Sequence, residues 1–169
     1  MYGNWLFGCV CYTTNLIAAI ANVTTHTDFS AQTAGIATAI FLIGIPGSFM
    51  FWYRSLYKGV KHSRSISLIF FFINFSIHTF VSLFLSFGIP LSGSAGFTQT
   101  VALGNTPYKG AAALSAISAI LCVAQFVYCL WNIRGVFVLY LQLQLSDPEI
   151  QREVLGGITI DKTAQTARR

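Results

Sequence analysis

Charged residues are scarce in this sequence, and carboxylates are the scarcest of them. Only 9% of the 169 residues are charged, with ten Lys/Arg against five Asp/Glu, whereas an ordinary soluble domain carries roughly 25%. Hydrophobic residues make up 54% of the chain, which is more apolar surface than a water-soluble core of this length can hide. The composition therefore excludes an ordinary soluble domain. It favours one small helical bundle whose solvent is lipid, with no room for a second folded domain.

The sequence also lacks the residue clusters that catalysis and metal binding require. Four of the five carboxylates lie between residues 147 and 161, and the fifth, Asp28, stands alone in a connecting segment. His26, His62 and His78 fall at different membrane depths, and no cysteine has metal-ligand spacing with a histidine. There is no HExxH motif, phosphate loop or nucleophile elbow. We therefore predict no enzymatic activity, no metal and no cofactor.

The net charge of +5 would suggest a nucleic-acid partner if the protein were soluble. Here the basic residues flank apolar runs, so they are better explained by membrane topology and by attraction to anionic lipid. We expect no nucleic-acid partner.

Four apolar segments are long enough to cross a membrane, since a spanning helix needs about 20 mostly apolar residues. They cover residues 5–23, 32–53, 66–89 and 110–133, and the first three contain no Lys, Arg, Asp or Glu. The sequence predicts an all-α polytopic membrane protein with four transmembrane helices, a basic amphipathic loop between helices 2 and 3, and a C-terminal interfacial helix. Asn22 begins a glycosylation sequon at the edge of the first span, too close to the membrane for its use to be expected.

The connecting loops predict the orientation. The loop between the second and third spans holds Arg54, Lys58, Lys61 and Arg64, whereas the other two loops together hold one basic residue, Lys109. Because positive charge stays on the cytoplasmic side, we predict that the basic loop and both termini are cytoplasmic.

The apolar character continues past the fourth span to residue 145, too far for a single crossing. We therefore predict a bend near Gly135 and a segment along the cytoplasmic interface, followed by a helix over 146–157 with a capping box. This divides the chain into a transmembrane domain with its interfacial extension, residues 1–145, and a cytoplasmic tail, residues 146–169.

Polar residues on the third span form a stripe, since Asn74, His78, Ser82 and Ser86 follow one another at intervals of four. In lipid their polar groups would be unsatisfied, so the stripe is predicted to face other helices and hydrogen-bond to them. A proton or ion path through His78 is the alternative, but no intramembrane carboxylate is present to partner it.

Small residues and a proline predict close helix packing elsewhere. Pro46, flanked by Gly44 and Gly47, should leave a carbonyl unbonded and kink the second span. The fourth span begins with small residues spaced four apart, which let helix backbones approach closely. A lipid-binding crevice beside these residues is the alternative to plain packing.

The segment FWYRSLYKGVKHSR, residues 51–64, carries most of the basic charge near the spans. Read as a helix, it places its cations on one face and its aromatic and apolar residues on the adjacent face, which is typical of an interfacial amphipathic helix. Each cation beside an anionic leaflet contributes about 1 kcal/mol, so the segment could recruit phosphoinositides. The alternative is a topology signal alone. The predicted lipid-binding residues are Trp52, Tyr53, Arg54, Tyr57, Lys58, Lys61 and Arg64.

The run FWYRSLYKGVKHSRSISLIFFFINF resembles the central signature of the secretory carrier-associated membrane proteins. The likeness is dense over residues 41–97. Two departures affect the loop: Ser55 replaces the proline of the family, which should make the loop more helical, and Gly59-Val60 replaces Ala-Phe. The matching positions are Trp52, Tyr53, Arg54, Tyr57, Lys58, 70–72 and 88–90.

The resemblance implies four spans with cytoplasmic termini and a role in vesicle trafficking between the Golgi, endosomes and plasma membrane. It also implies that the basic loop binds phosphoinositides. The sequence lacks the N-terminal Asn-Pro-Phe repeats and coiled coil of the family, so it resembles a short form for which adaptor binding is not expected. The alternative functions are an accessory subunit of a larger membrane complex, with protein partners, and a channel or carrier.

Overall fold

The computed structural model of the protein describes residues 1–25, 30–62, 65–89 and 91–145, and these residues form helices and turns without a strand. Four helical segments are long and apolar enough to cross a membrane, which confirms the predicted all-α polytopic fold. The helices in chain order are α1 Tyr2–Val23, α2 Ser30–Ser48, α3 Arg54–Lys61, α4 Ser65–Phe87, α5 Phe97–Gly104 and α6 Lys109–Leu145, with a π-helical turn Phe49–Tyr53 between α2 and α3.

Two features of the helices differ from the sequence-based expectation. The second membrane-crossing segment does not end near Tyr53 but continues as helix to Lys61. The connection between α4 and α6 contains the short helix α5, which has no clear periodic signal in the sequence.

Polar contacts near both ends of α1 define how the helices run. Asn4 contacts Gln125 and Asn22 contacts Ser115, so α1 and α6 are antiparallel. The start of α1 lies at the same end of the bundle as α3, because the ring of Tyr2 lies 6.5 Å from that of Tyr53, directly before α3. We call this end the α3 face. The other end carries α5 and the start of α6, and we call it the α5 face.

The buried positions of α1, α4 and α6 repeat at alternating intervals of three and four residues, which is the spacing of left-handed helix packing. Most of these positions are small or polar rather than large and apolar. That composition suits a membrane bundle, because lipid gives no hydrophobic driving force between helices and close approach must replace it. The buried positions on this repeat are Asn4, Gly8, Cys11, Asn15, Ala18 and Asn22 on α1, Leu68, Phe71, Phe75, His78, Ser82 and Leu85 on α4, and Ala111, Ser115, Ser118, Cys122, Gln125 and Cys129 on α6; Tyr12, Ala19, Thr79, Ser86, Ala112 and Ala119 are buried next to them.

Many of the other large apolar side chains point outward. Ile43 is 70% exposed, Phe80 is 68% exposed and Trp131 is 77% exposed. A soluble protein would not expose so many such residues, so this outer surface is the one that contacts lipid.

The chain divides into two compact units, Met1–Ile133 and Arg134–Arg169. The helix α6 runs from Lys109 to Leu145, and the bend near Gly135 stays a prediction. The helix and tail predicted after residue 145 lie outside the described residues. The domain boundary at 145 and the interfacial course of this region stay predictions.

Candidate lipid-binding segment and interior polar network

A π-helical turn joins the second span to the basic helix. Pro46 lacks the N–H that would bond to the carbonyl four residues earlier, yet α2 continues through it to Ser48. The following turn, Phe49–Tyr53, adds a residue to the helical repeat, and the N–H of Arg54 donates to the carbonyl of Phe49, five residues back. Such turns change which face the next helix presents. Here the turn sets the orientation of α3.

Gly44 of α2 packs closely against α1. This is the close helix packing that the sequence predicted for the small residues beside Pro46. A Cβ atom at Gly44 would stand 3.2 Å from the ring of Tyr12. Beside them a crevice of about 200 Å³ separates α2 from α4, and its lining includes Gly47, Asn74 and His78.

The helix α3 packs on α4 through one narrow strip. Leu56 and Gly59 are buried, whereas the neighbouring positions are exposed or half-buried. A Cβ atom at Gly59 would lie 2.7 Å from Cδ2 of Leu68, so only glycine permits this approach. Ser55, where the family has proline, donates its hydroxyl to the carbonyl of Phe51 at 2.7 Å, and the loop is helical as predicted from that departure.

The cations of α3 all face outward. Arg54, Lys58 and Lys61 are exposed, and none is used in packing on α4. Tyr57 is 58% exposed, and the ammonium of Lys61 lies 5.5 Å from the centre of its ring. The helix therefore presents three cations and an exposed phenol together. Arg64, the fourth predicted cation, lies outside the described residues.

Trp52 corrects the predicted lipid-binding set. Its side chain is 1% exposed, and its ring centre lies 4.8 Å from that of Phe75 and 5.5 Å from that of His78. The prediction that it sits among headgroups does not hold for this residue, because the π-helical turn directs it into the core.

Tyr53 is half-buried and joins an aromatic cluster at the α3 face. Its ring stacks on Phe49 with centres 5.1 Å apart and lies 6.5 Å from the rings of both Tyr2 and Trp5. The cluster ties the end of the second span to the start of α1. Between α1 and α3 it leaves a groove of about 290 Å³, lined by Met1, Tyr2, Tyr53, Leu56, Tyr57, Val60 and Lys61.

The predicted polar stripe of α4 is only partly used between helices. Asn74 donates to the carbonyl of Phe70 at 2.8 Å, Ser82 to that of His78 at 3.0 Å and Ser86 to that of Leu83 at 2.6 Å. These three side chains bond to carbonyls of their own helix. The sequence had instead predicted hydrogen bonds to neighbouring helices, so these bonds differ from the prediction. Polar side chains whose hydrogen bonds are made within their own helix favour a packing role over an ion path.

His78 is the member of the stripe that bridges helices. Its Nδ1 lies 3.1 Å from the hydroxyl of Tyr12, and its Nε2 lies 3.4 Å from the amide nitrogen of Gln125. That nitrogen also donates to the carbonyl of Asn4 at 3.3 Å and to the sulfur of Cys129 at 3.4 Å. One buried network thus joins α1, α4 and α6.

The sequence reasoning missed a second polar stripe, on α1. Asn15 donates to the carbonyl of Gly93 at 2.8 Å and accepts from the N–H of Ala95 at 3.0 Å. Asn22 donates to the hydroxyl of Ser115 at 3.3 Å and is 2% exposed, so the sequon asparagine is part of the core. The signal was available, because asparagines at 4, 15 and 22 fall on one helix face inside a charge-free span.

Within the described ranges, no group of three or more His, Cys, Asp or Glu side chains could hold a metal ion. The described cysteines are free, and Cys11 donates to the carbonyl of Leu121 at 3.4 Å. Cys11, Cys122 and Cys129 pack in the core, and Cys9 is half-buried.

Comparison with known proteins settles the resemblance seen in the basic segment. The sequence profile of the SCAMP family matches residues 1–142. The chain belongs to the secretory carrier-associated membrane protein (SCAMP) family. It is 27% identical over 168 residues to secretory carrier-associated membrane protein 3 of Mus musculus, covering 99% of this chain and 47% of that protein.

Two further SCAMP relatives are identical to this chain at a similar fraction of aligned positions. Secretory carrier-associated membrane protein 2 of Homo sapiens is 28% identical over 99% of this chain and 50% of its own length. Secretory carrier-associated membrane protein 5 of Xenopus tropicalis is 29% identical over 73% of this chain and 52% of its own length. The chain thus spans about half the length of the curated relatives it matches. No solved structure matches it.

Proposed function

We propose that this SCAMP is a non-enzymatic membrane protein of vesicle trafficking, in which α3 binds anionic lipid of the cytoplasmic leaflet. The observation that carries the proposal is the outward presentation of Arg54, Lys58 and Lys61 beside the end of a membrane span. The trafficking role follows from family membership and from the names of the relatives, which are secretory carrier-associated proteins.

The preferred ligand is a phosphoinositide headgroup. Three cations on one short helix can meet several phosphates of one headgroup, whereas a lipid with one phosphate meets them singly. The neighbouring groove between α1 and α3 has apolar and phenolic walls, which suit the glycerol region and the upper acyl chains. Lipid binding at this depth would use Tyr53 and Tyr57 as well as the cations.

The orientation and localisation belong to the same proposal. The basic α3 face would be cytoplasmic by the positive-inside rule, with the start of α1 on the same side. The compartments we propose are the Golgi, endosomes, secretory vesicles or the plasma membrane.

The test replaces Arg54, Lys58 and Lys61 with Gln in the full chain. Both proteins are placed in phosphatidylcholine nanodiscs and titrated with short-chain phosphatidylinositol bisphosphate. At about 1 kcal/mol for each cation, we expect a loss of about 3 kcal/mol, roughly 100-fold in Kd. The matched control is Lys109→Gln, which removes an exposed cation at the α5 face.

The thermal unfolding midpoint of the triple variant should stay close to that of the wild type, because the three cations are not used in packing. A triple variant that folds normally and binds the phosphoinositide with unchanged affinity would show that α3 is a topology signal alone.

A further inference from the structure

The connection between α4 and α6 has an unusual composition for a loop exposed to water. No Lys, Arg, Asp or Glu occurs between Arg64 and Lys109, so the connection between α4 and α6 is free of charged residues until α6 begins. Loops that run through water are normally polar, and charged residues are the ones most often left exposed. This connection is built instead from small, apolar and hydroxyl residues.

The outward surface of α5 is apolar. Val101 is 75% exposed and Phe97 is 45% exposed, while Leu103 on the opposite side is 1% exposed and packs with Ala111 and Ala112. A helix at a water surface turns its polar side outward. Here apolar side chains occupy both the outward side of the helix, at Phe97 and Val101, and the inward side, at Leu103.

The hydroxyl groups of α5 are turned back toward the protein. Thr98 donates to the carbonyl of Phe87 at 2.7 Å, and Thr100 donates to the carbonyl of Gly96 at 3.2 Å. These two hydroxyls, which would otherwise bind water, are therefore paired with backbone carbonyls, which lowers the cost of placing them against lipid.

The turn before α5 is held firmly against the bundle. Asn15 bonds to both Gly93 and Ala95, and the hydroxyl of Ser94 donates to the carbonyl of Leu85. Gly96 lies against the carbonyl of Ser86 so closely that a Cβ atom there has no room. These contacts fix α5 beside the end of α4.

The exposed surface of α5 is continuous with the lipid-facing surface of α4. The bond from Thr98 to Phe87 brings the start of α5 next to the last turn of α4, where Phe84 is 45% exposed and Phe87 is 53% exposed. The α4 surface contacts acyl chains because α4 crosses the membrane. No charged residue separates it from Phe97 and Val101.

We propose that α5 is an interfacial helix that lies in the leaflet at the α5 face, with Phe97 and Val101 inserted among the lipids. Interfacial helices bury their apolar side about 5–10 Å into the boundary between headgroups and acyl chains. The occupant of the α5 surface is therefore lipid. The connection between α4 and α6 belongs to the membrane domain rather than to the aqueous lumen.

The test places a fluorescent probe on α5 in the full chain. Val101→Cys is made in a Cys9→Ala chain, since the other native cysteines are buried, labelled with the environment-sensitive dye NBD, and reconstituted in phosphatidylcholine vesicles. Phe84→Cys provides the lipid-embedded reference, and Lys109→Cys provides the water-exposed reference. Quenching is measured with iodide in water and with lipids that carry a nitroxide near the headgroup.

We expect the probe at Val101 to emit at a shorter wavelength than the probe at Lys109, to be quenched by the nitroxide lipid, and to resist iodide. Quenching by iodide without quenching by the lipid would overturn the proposal and place α5 in water. Resistance to both quenchers would also overturn it, because the surface would then be covered by a second copy or another protein. The result is independent of lipid binding at α3, on the other face of the bundle.

Discussion

Asn15 makes the most specific contact between a spanning helix and the α5 face, and its replacement by Leu is a sharp test of the structure. Leucine has a similar volume but can neither donate to the carbonyl of Gly93 nor accept from the N–H of Ala95, bonds of 2.8 and 3.0 Å in the native protein. The substitution leaves both backbone groups buried and unpaired, because Gly93 and Ala95 are buried.

The magnitude follows from the two lost bonds. A buried backbone group left without a partner costs about 1–3 kcal/mol, so two such groups cost about 2–6 kcal/mol. If the loss falls on local opening of the turn before α5, amide exchange there should accelerate by about 30-fold at the lower limit.

Hydrogen–deuterium exchange of the protein in nanodiscs measures this directly. The expected change is faster exchange in residues 91–96, with little change in the middle of α4. The control is Thr14→Val, on the same helix, because the hydroxyl of Thr14 bonds to carbonyls of its own helix at 3.0 and 3.1 Å. Equal exchange at 91–96 in wild type and Asn15→Leu would refute the assignment of Asn15 as the contact that holds the turn.

Two further predictions concern α3 and the π-helical turn before it. Gly59→Val should lower the free energy of unfolding by about 1–3 kcal/mol, because overpacking forces α3 away from α4. Gly35→Ala, where a Cβ atom meets nothing within 4 Å, is the control, and unchanged thermal stability of Gly59→Val would contradict the close packing. Trp52→Ala should cost about 3–5 kcal/mol, as for a buried tryptophan, whereas Tyr57→Ala, at a 58% exposed position, should leave stability nearly unchanged and weaken lipid binding instead. Equal losses of stability in the two variants would contradict the assignment of Trp52 to the core.

The spans could be predicted from the sequence because their signal is strong and local. Long apolar segments without charge have one stable placement in a membrane, as helices that satisfy their own backbone. The outward basic face of α3 could also be predicted from a local pattern, because cations at helical spacing beside a span indicate an interfacial helix.

The direction of Trp52 could not be predicted, because it depends on one extra residue in a π-helical turn. The aromatic and basic residues after Phe49 read as a regular helix, in which Trp52 and Tyr53 both suit a headgroup layer. The π turn changes that register, so Trp52 enters the core while Tyr53 stays at the edge. Pro46 gave a sign of irregularity nearby but did not specify the form it takes.

The polar residues of the interior could be predicted only in part. The stripe on α4 was found by its spacing, but the sequence could not show that Asn74, Ser82 and Ser86 would bond to their own helix. The partners of His78 lie on two other helices, at positions that only the tertiary fold brings together. The short helix α5 gave no periodic signal long enough to be recognised.

The most direct test of lipid binding by α3 is photocrosslinking of the wild-type protein in nanodiscs with a phosphatidylinositol bisphosphate that carries a diazirine near its glycerol. The sites of attachment are then mapped by mass spectrometry. We predict attachment at residues 53–61 and at the start of α1, competed by unlabelled phosphoinositide but not by phosphatidylcholine. Attachment spread evenly over the lipid-facing surface, or unaffected by unlabelled phosphoinositide, would contradict a lipid-binding role for α3.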